Sequence, residues 1–130
     1  MPKRILIVDD SKLIHSMYEQ LLTAKYSCEI FHAMDGVEAL FKLSKGGGVD
    51  LILLDIDMPV MNGIQFLTRR AEEKNYSHVP VIVVSTRSAE EDIKTCLRLG
   101  ATAYILKPFA QDQFYNLIDK VFADKDLHGG

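Results

Sequence analysis

The sequence predicts an α/β domain: a five-stranded parallel sheet with helices on both faces. Three observations carry this. Short apolar runs and longer amphipathic stretches alternate five times along the chain. Such alternation calls for right-handed crossovers and a covered parallel sheet. The runs at 5–8 and 51–54 are apolar at every position, as in strands buried on both faces. Finally, 130 residues with 48% apolar and 25% charged side chains fit one globular domain of ordinary composition.

The elements follow in order. Residues 4–8 form the first strand and end on Asp9 and Asp10. Ser11 caps the first helix, its hydroxyl accepting from a free N–H of the first turn. Leu13, Ile14, Met17, Leu21 and Leu22 recur at helical spacing through about Lys25. Residues 28–33 read as the second strand. Asp35-Gly36 starts a helix with Val37, Leu40 and Leu43 on one stripe, ending in Gly46, Gly47 and Gly48. The stretch 49–63, VDLILLDIDMPVMNG, is central: its apolar run delivers Asp55 and Asp57, then turns through Pro59, Asn62 and Gly63. Asn62-Gly63 opens the third helix, carrying Ile64, Leu67 and Ala71. Residues 80–84 are the fourth strand and end on Ser85 and Thr86. Ser88, with Glu91 three residues on, reads as a capping box. The helix behind it turns Ile93 and Leu97 inward and stops at Gly100. Residues 102–106 are the fifth strand, ending on Lys107-Pro108. Phe114, Leu117, Ile118 and Val121 form the inner face of the last helix. The domain is read as residues 1–123, with 124–130 a polar tail or linker stub.

The net charge of -3 gives no electrostatic reason to expect nucleic acid or an anionic membrane as partner. No apolar run approaches the roughly 18 residues of a transmembrane helix. The start, MPKRILIVDD, is no signal peptide. Cys28 and Cys96 are then expected reduced, in the cytoplasm, with Cys96 packed or half-exposed. His15, His32, His78 and His128 lack metal-ligand spacing and are read as surface residues. The three glycines precede a strand and lack a Gly-Lys-Ser/Thr ending, so they are a flexible connection and not a phosphate loop.

In a parallel sheet all C-terminal strand ends share one rim, where ligands bind. Here that rim receives Asp9 and Asp10, Asp55 with Asp57, Ser85 and Thr86, and Lys107. Clustered carboxylates repel unless a cation intervenes. An all-oxygen set without His or Cys suits a hard divalent ion, Mg²⁺ above zinc. Lys107 adds a point charge and Ser85 a hydroxyl for phosphate oxygens. The pieces fit a carboxylate nucleophile that becomes an aspartyl-phosphate.

The motifs ILIVDD, LILLDIDMPVMNG, PVIVVST and GATAYILKPF, in this order and spacing over residues 3–123, resemble those of response-regulator receiver domains, the phospho-accepting modules of two-component signalling; the likeness is to the chemotaxis-regulator kind. The resemblance implies a flavodoxin-like doubly wound sheet of order 2-1-3-4-5 flanked by five helices. It implies Asp55 as phosphoacceptor and Asp10 and Asp55 as side-chain ligands of Mg²⁺, for which Mn²⁺ is a candidate substitute. Asp57 would contribute its backbone carbonyl and Asp9 would act largely through water. Lys107 would pair with the carboxylate and then the phosphoryl group, and its bond to Pro108 would be cis. Ser85 would be the switch hydroxyl and Tyr104 the aromatic that follows it, biasing the face made by the fourth helix, fifth strand and fifth helix. The phosphoryl donor would be a sensor histidine kinase or a histidine phosphotransfer protein. The output would be a downstream protein or an effector domain, with homodimerisation left open. Such a module is a switch with self-catalysed phosphorylation and dephosphorylation, not a turnover enzyme.

Two positions depart from the common pattern. Thr86 stands where Ala or Gly is usual, and its bulk is expected to narrow access to the phosphoryl group. Asp57 and Arg87 carry opposite charges on neighbouring loops and are expected to pair across the mouth as modulators. The rival reading is a haloacid-dehalogenase-type phosphohydrolase, since Asp55-Ile56-Asp57 fits its D-x-D motif. Against it stand the mid-chain position, Pro59 in the motif, the short chain and the acidic pair at Asp9-Asp10. A flavodoxin-type flavin site would need a Ser/Thr/Gly-rich loop where Asp9-Asp10 stands.

Overall fold

The computed structural model describes residues 2–46 and 48–127. Five parallel strands, β1 (Lys3–Val8), β2 (Cys28–Ala33), β3 (Leu51–Leu54), β4 (Val81–Ser85) and β5 (Ala103–Leu106), form one sheet in the order β2-β1-β3-β4-β5. The helices α1 (Lys12–Lys25), α2 (Gly36–Ser44), α3 (Gly63–Ala71), α4 (Glu90–Arg98) and α5 (Gln111–Leu127) alternate with them. The expected order and element count are both present.

Because strand side chains alternate between faces, each apolar run feeds two cores. Leu6, Val8, Ile52, Leu54, Val81 and Val83 meet α2, α3 and α4 on one face. Ile5, Ile7, Leu51, Leu53, Ile82 and Val84 meet α1 and α5 on the other. Each fully buried side chain contributes about 1.5–3 kcal/mol, so this two-sided burial fixes β3 firmly at the centre.

Local chemistry sets the helix starts. The Ser11 hydroxyl accepts from Ile14 N–H at 3.3 Å and Asp35 accepts from Glu38 N–H at 2.9 Å. Asn62 and Gln65 form a reciprocal capping box, at 2.9 and 3.0 Å. Ser88 does not cap α4. Ala89 occupies that position without a side-chain bond, and three acidic residues, Glu90, Glu91 and Asp92, face the positive end of the helix dipole instead. Gly100, at φ 106°, ends α4 as expected.

Several inward assignments are corrected. Leu13 on α1 is 79% exposed, and Met17, Val37 and Leu97 are also on the outside. Leu22, Leu43 and Leu67 face inward as expected, and beside them stand His15 and Tyr18 on α1, Ala39 on α2, Phe66 and Arg70 on α3, and Cys96 on α4. Ala71 is exposed. Cys96 is fully buried, the packed alternative of the two expected, and both cysteines are free thiols. His15 is no surface residue: its Nε2 lies 2.7 Å from the Asp9 carbonyl oxygen and its Nδ1 2.7 Å from Nδ1 of the half-buried His32. His78 is exposed as expected, and His128 lies outside the described residues. The last helix does not stop at residue 123 but continues to Leu127, since no glycine or proline interrupts it before Gly129.

Candidate functional site

The sheet's own hydrogen bonds seat the residues at its rim. Asp9 N–H donates to Ala33 O at 3.1 Å, Asp55 N–H to Val8 O at 2.9 Å and Lys107 N–H to Ser85 O at 2.9 Å. Each ladder thus runs one residue past its strand and fixes the backbone of a residue expected at the site. Behind Asp55, a Cβ added at Gly63 would lie 2.4 Å from the Asp55 carbonyl oxygen and 2.8 Å from Ile56 Cα. Only hydrogen fits there, so glycine lets the start of α3 close onto Asp55.

The side chains then converge. Carboxylate oxygens of Asp9, Asp10 and Asp55 lie within 4.8 Å of one another. Lys107 Nζ stands 3.4 Å from Asp9 and 3.7 Å from Asp55. Asp9 is buried, and its other oxygen accepts from Ser11 N–H at 2.9 Å. Asp10 is exposed. Burial pushes the Asp55 carboxyl up to about 6; the Lys107 ammonium opposes this and the Asp9 carboxylate adds to it. Three carboxylates facing one ammonium leave an excess of negative charge in a poorly solvated place. The donor set is all oxygen and its exposed member opens to water, so these residues fit a hard divalent cation that keeps several waters.

The remaining expected residues surround this cluster. Ser85 is fully buried, and its Oγ accepts from Arg87 N–H at 3.0 Å. The half-buried Tyr104 donates its hydroxyl to Arg87 O at 2.8 Å. Thr86 is exposed at the rim. Arg87 and Asp57 do pair: Nη2 and Nε reach Asp57 Oδ1 at 2.6 and 3.0 Å. This holds the Asp57 carboxyl below the usual carboxylate range. Arg87 Nη1 is also 3.8 Å from Asp92 on α4. The Lys107–Pro108 peptide bond is cis, as expected. Sequence reasoning missed the His15–His32 pair under Asp9 and the Tyr104–Arg87 bond. Both depend on side chains meeting across elements, and no spacing along the chain signals them.

The comparisons with known proteins agree with this arrangement. The profile of the response regulator receiver domain family matches residues 5–119. The chain is 34% identical over 106 residues to the chemotaxis protein CheY homolog of Campylobacter jejuni, covering 82% of each. It is 37% identical over 122 residues to CheY of Treponema pallidum, covering 92% of this chain and 83% of that protein. The structure of CheY4 from Vibrio cholerae superposes with a TM-score of 0.84 at 30% identity, over 93% of this chain and 99% of the other. CheY of Borrelia burgdorferi, solved in a complex with CheX, BeF3 and Mg²⁺, gives 0.86 at 33% identity, over 94% and 90%. The chain belongs to the response regulator receiver domain family.

Proposed function

We propose that this chain is a phosphorelay switch whose Asp55 accepts a phosphoryl group from a phosphohistidine donor. The supporting observation is the seat of Asp55: a half-desolvated carboxylate between the Asp9 and Asp10 oxygens and the Lys107 ammonium. Receiver domains bind Mg²⁺ at an acidic site of this kind. Here Asp10 and Asp55 would hold it by side chain, Asp57 by its backbone carbonyl and Asp9 largely through water, with Mn²⁺ as a candidate substitute. When bound, the ion supplies positive charge against the transferring phosphoryl oxygens.

In the transfer, the phosphorus–nitrogen bond of the donor breaks and a bond from phosphorus to an Asp55 carboxylate oxygen forms. The electron pair of the broken bond stays on the imidazole nitrogen, which takes up a proton. Lys107 then exchanges its contact with the carboxylate for one with a phosphoryl oxygen. The Ser85 hydroxyl leaves Arg87 N–H and donates to another oxygen. Because Arg87 also holds the Tyr104 hydroxyl through its carbonyl, movement of Ser85 reaches β5 and the face shared by α4, β5 and α5. Leu97 and Leu106, exposed on that face, offer apolar contacts to a downstream protein. Loss of the phosphoryl group to water returns the switch, with Thr86, Arg87 and Asp57 setting its rate. A sensor histidine kinase or a histidine phosphotransfer protein is the donor. A donor of either kind acts in the cytoplasm, which is the setting proposed; among the described residues no helix is long and apolar enough to cross a membrane.

The dehalogenase-type reading gains nothing, since both Asp57 oxygens accept from Arg87 and are not free for acid–base work. Incubation with acetyl phosphate and Mg²⁺, followed by intact mass, tests the proposal. One added phosphoryl group is expected, absent in Asp55→Asn and without Mg²⁺. A phosphorylated Asp55→Asn protein, or steady turnover of a phosphomonoester, would overturn it.

A further inference from the structure

A cleft of about 310 Å³ opens at the opposite end of the sheet from Asp55. Arg4, near the start of β1, and Val49, ahead of β3, mark that end. Phe31 and Val49, both half-buried, and Phe41, 58% exposed, supply apolar lining. Arg4, Lys42 and Lys45 supply three cations. The Arg4 guanidinium lies over the Phe31 ring at 4.9 Å, and the Lys45 ammonium over the Phe41 ring at 4.6 Å. Lys42 donates to His32 O and stands 3.8 Å from Glu38. Lys45 has no carboxylate within 4.0 Å among the described residues.

An aromatic ring exposed to this extent is an unsatisfied apolar surface, and aromatic and cationic groups together are the composition of binding hot spots. The Asp50 carboxylate accepts from Arg4 N–H at 2.8 Å and Glu38 stands beside Lys42, so the charge left to meet sits on Lys45 at the rim of the cleft and calls for an anionic group there. Small ligands bind where about 70–90% of their surface is enclosed. Phe41, more than half exposed, gives no such enclosure, whereas a protein segment laid over α2 would cover it. We propose that this cleft docks a short acidic segment of a partner protein. One apolar side chain enters between Phe31 and Phe41, and flanking carboxylates meet Lys45 and Lys42. Because the cleft shares no residue with the phosphoryl site, docking is independent of phosphorylation.

The test is a nitrogen-15 NMR titration of the whole chain with the blocked peptide Asp-Glu-Asp-Phe-Leu-Glu-Asp-Glu. Shifts are expected at Phe31, Phe41, Lys42, Lys45 and Val49. Affinity should fall between about 50 and 300 mM salt as screening grows, and should not change with beryllofluoride and Mg²⁺. Phe41→Ala and Lys45→Glu, both at exposed positions, should each weaken binding about tenfold or more, with unchanged thermal midpoints. Absent shifts, or shifts on α4 instead, would overturn the proposal. So would equal binding of the Asn/Gln version of the peptide, or phenylacetate shifting the same residues just as tightly.

Discussion

Arg87 holds Asp57 with two nitrogens, at 2.6 and 3.0 Å, while its own N–H and C=O hold Ser85 and Tyr104. One residue therefore links the loop after β3 to both members of the expected switch. The ion pair is exposed, so its effect belongs in kinetics and not in stability. Arg87→Gln is expected to shorten the lifetime of phosphorylated Asp55 severalfold, with the thermal midpoint almost unmoved. An unchanged lifetime in a phosphate-release assay would remove the pair from the mechanism.

The exposed Thr86 stands beside the buried Ser85. Thr86→Ala should speed both phosphorylation by acetyl phosphate and loss of the phosphoryl group. Stopped-flow rates equal to those of the parent chain in both directions would show that the methyl and hydroxyl do not limit access.

Asp55 makes stability depend on pH in a direction opposite to that of most carboxylates. Its carboxyl is raised from 3.8 to about 6, so the folded state binds the proton more tightly than the unfolded one. Stability is therefore greatest below about pH 4 for this group and is lost as pH rises through about 6. In a chelator, Asp55→Asn should be more stable than the parent by about 1–2 kcal/mol at pH 7, a figure discounted for solvent contact. The advantage should vanish below about pH 4. Urea unfolding of both proteins from pH 4 to 8 checks this; a difference constant with pH contradicts it. Added Mg²⁺ should stabilise the parent and leave the variant unmoved.

Lys107 is the principal charge lowering the Asp55 carboxyl against its burial. In Lys107→Met the Asp55 carboxyl should titrate above 6, seen by carbon-13 NMR of the side-chain carboxyl. Beryllofluoride should then bind without moving the Tyr104 resonances. A titration unchanged from the parent would mean that the ammonium, at 3.7 Å, is screened.

Gly63→Ala forces a methyl group against the Asp55 carbonyl oxygen. Overpacking against backbone should cost about 1–3 kcal/mol. Because the displaced atom belongs to Asp55, Mg²⁺ affinity should fall with it. Fluorescence or NMR titration separates the two effects: lost stability with intact Mg²⁺ binding would mean that α3 gives way instead of the strand end.

The rim was legible in the sequence for a physical reason. Strands buried on both faces leave nothing but apolar residues until the chain exits, so Asp9, Asp55 and Ser85 stand out at their ends; Lys107 stands out after the short apolar run of the edge strand β5. Helix faces were less legible. Apolar spacing alone placed Leu13, Met17, Val37 and Leu97 inside, yet these face out. His15 holds an inward position with Nε2 2.7 Å from Asp9 O, and Arg70 holds one with Nη2 donating to Val79 O at 2.5 Å, although its buried Nε has no partner among the described residues. Such partners come from other elements and leave no periodicity. Ser88 failed as a cap because its helix starts two residues later, where acidic side chains serve the dipole.

The central position of β3 also sets a clock. Both of its edges are paired and both of its faces covered, so amides of Leu51–Leu54 open to solvent exchange only when the whole domain opens. The Asp55 amide, bonded to Val8 O, is tied to that slowest unit, whereas Thr86 and Arg87 stand on an exposed loop. The proposed phosphoacceptor is thus anchored on the least yielding part of the chain, while the residues proposed to modulate it stand on the exposed rim.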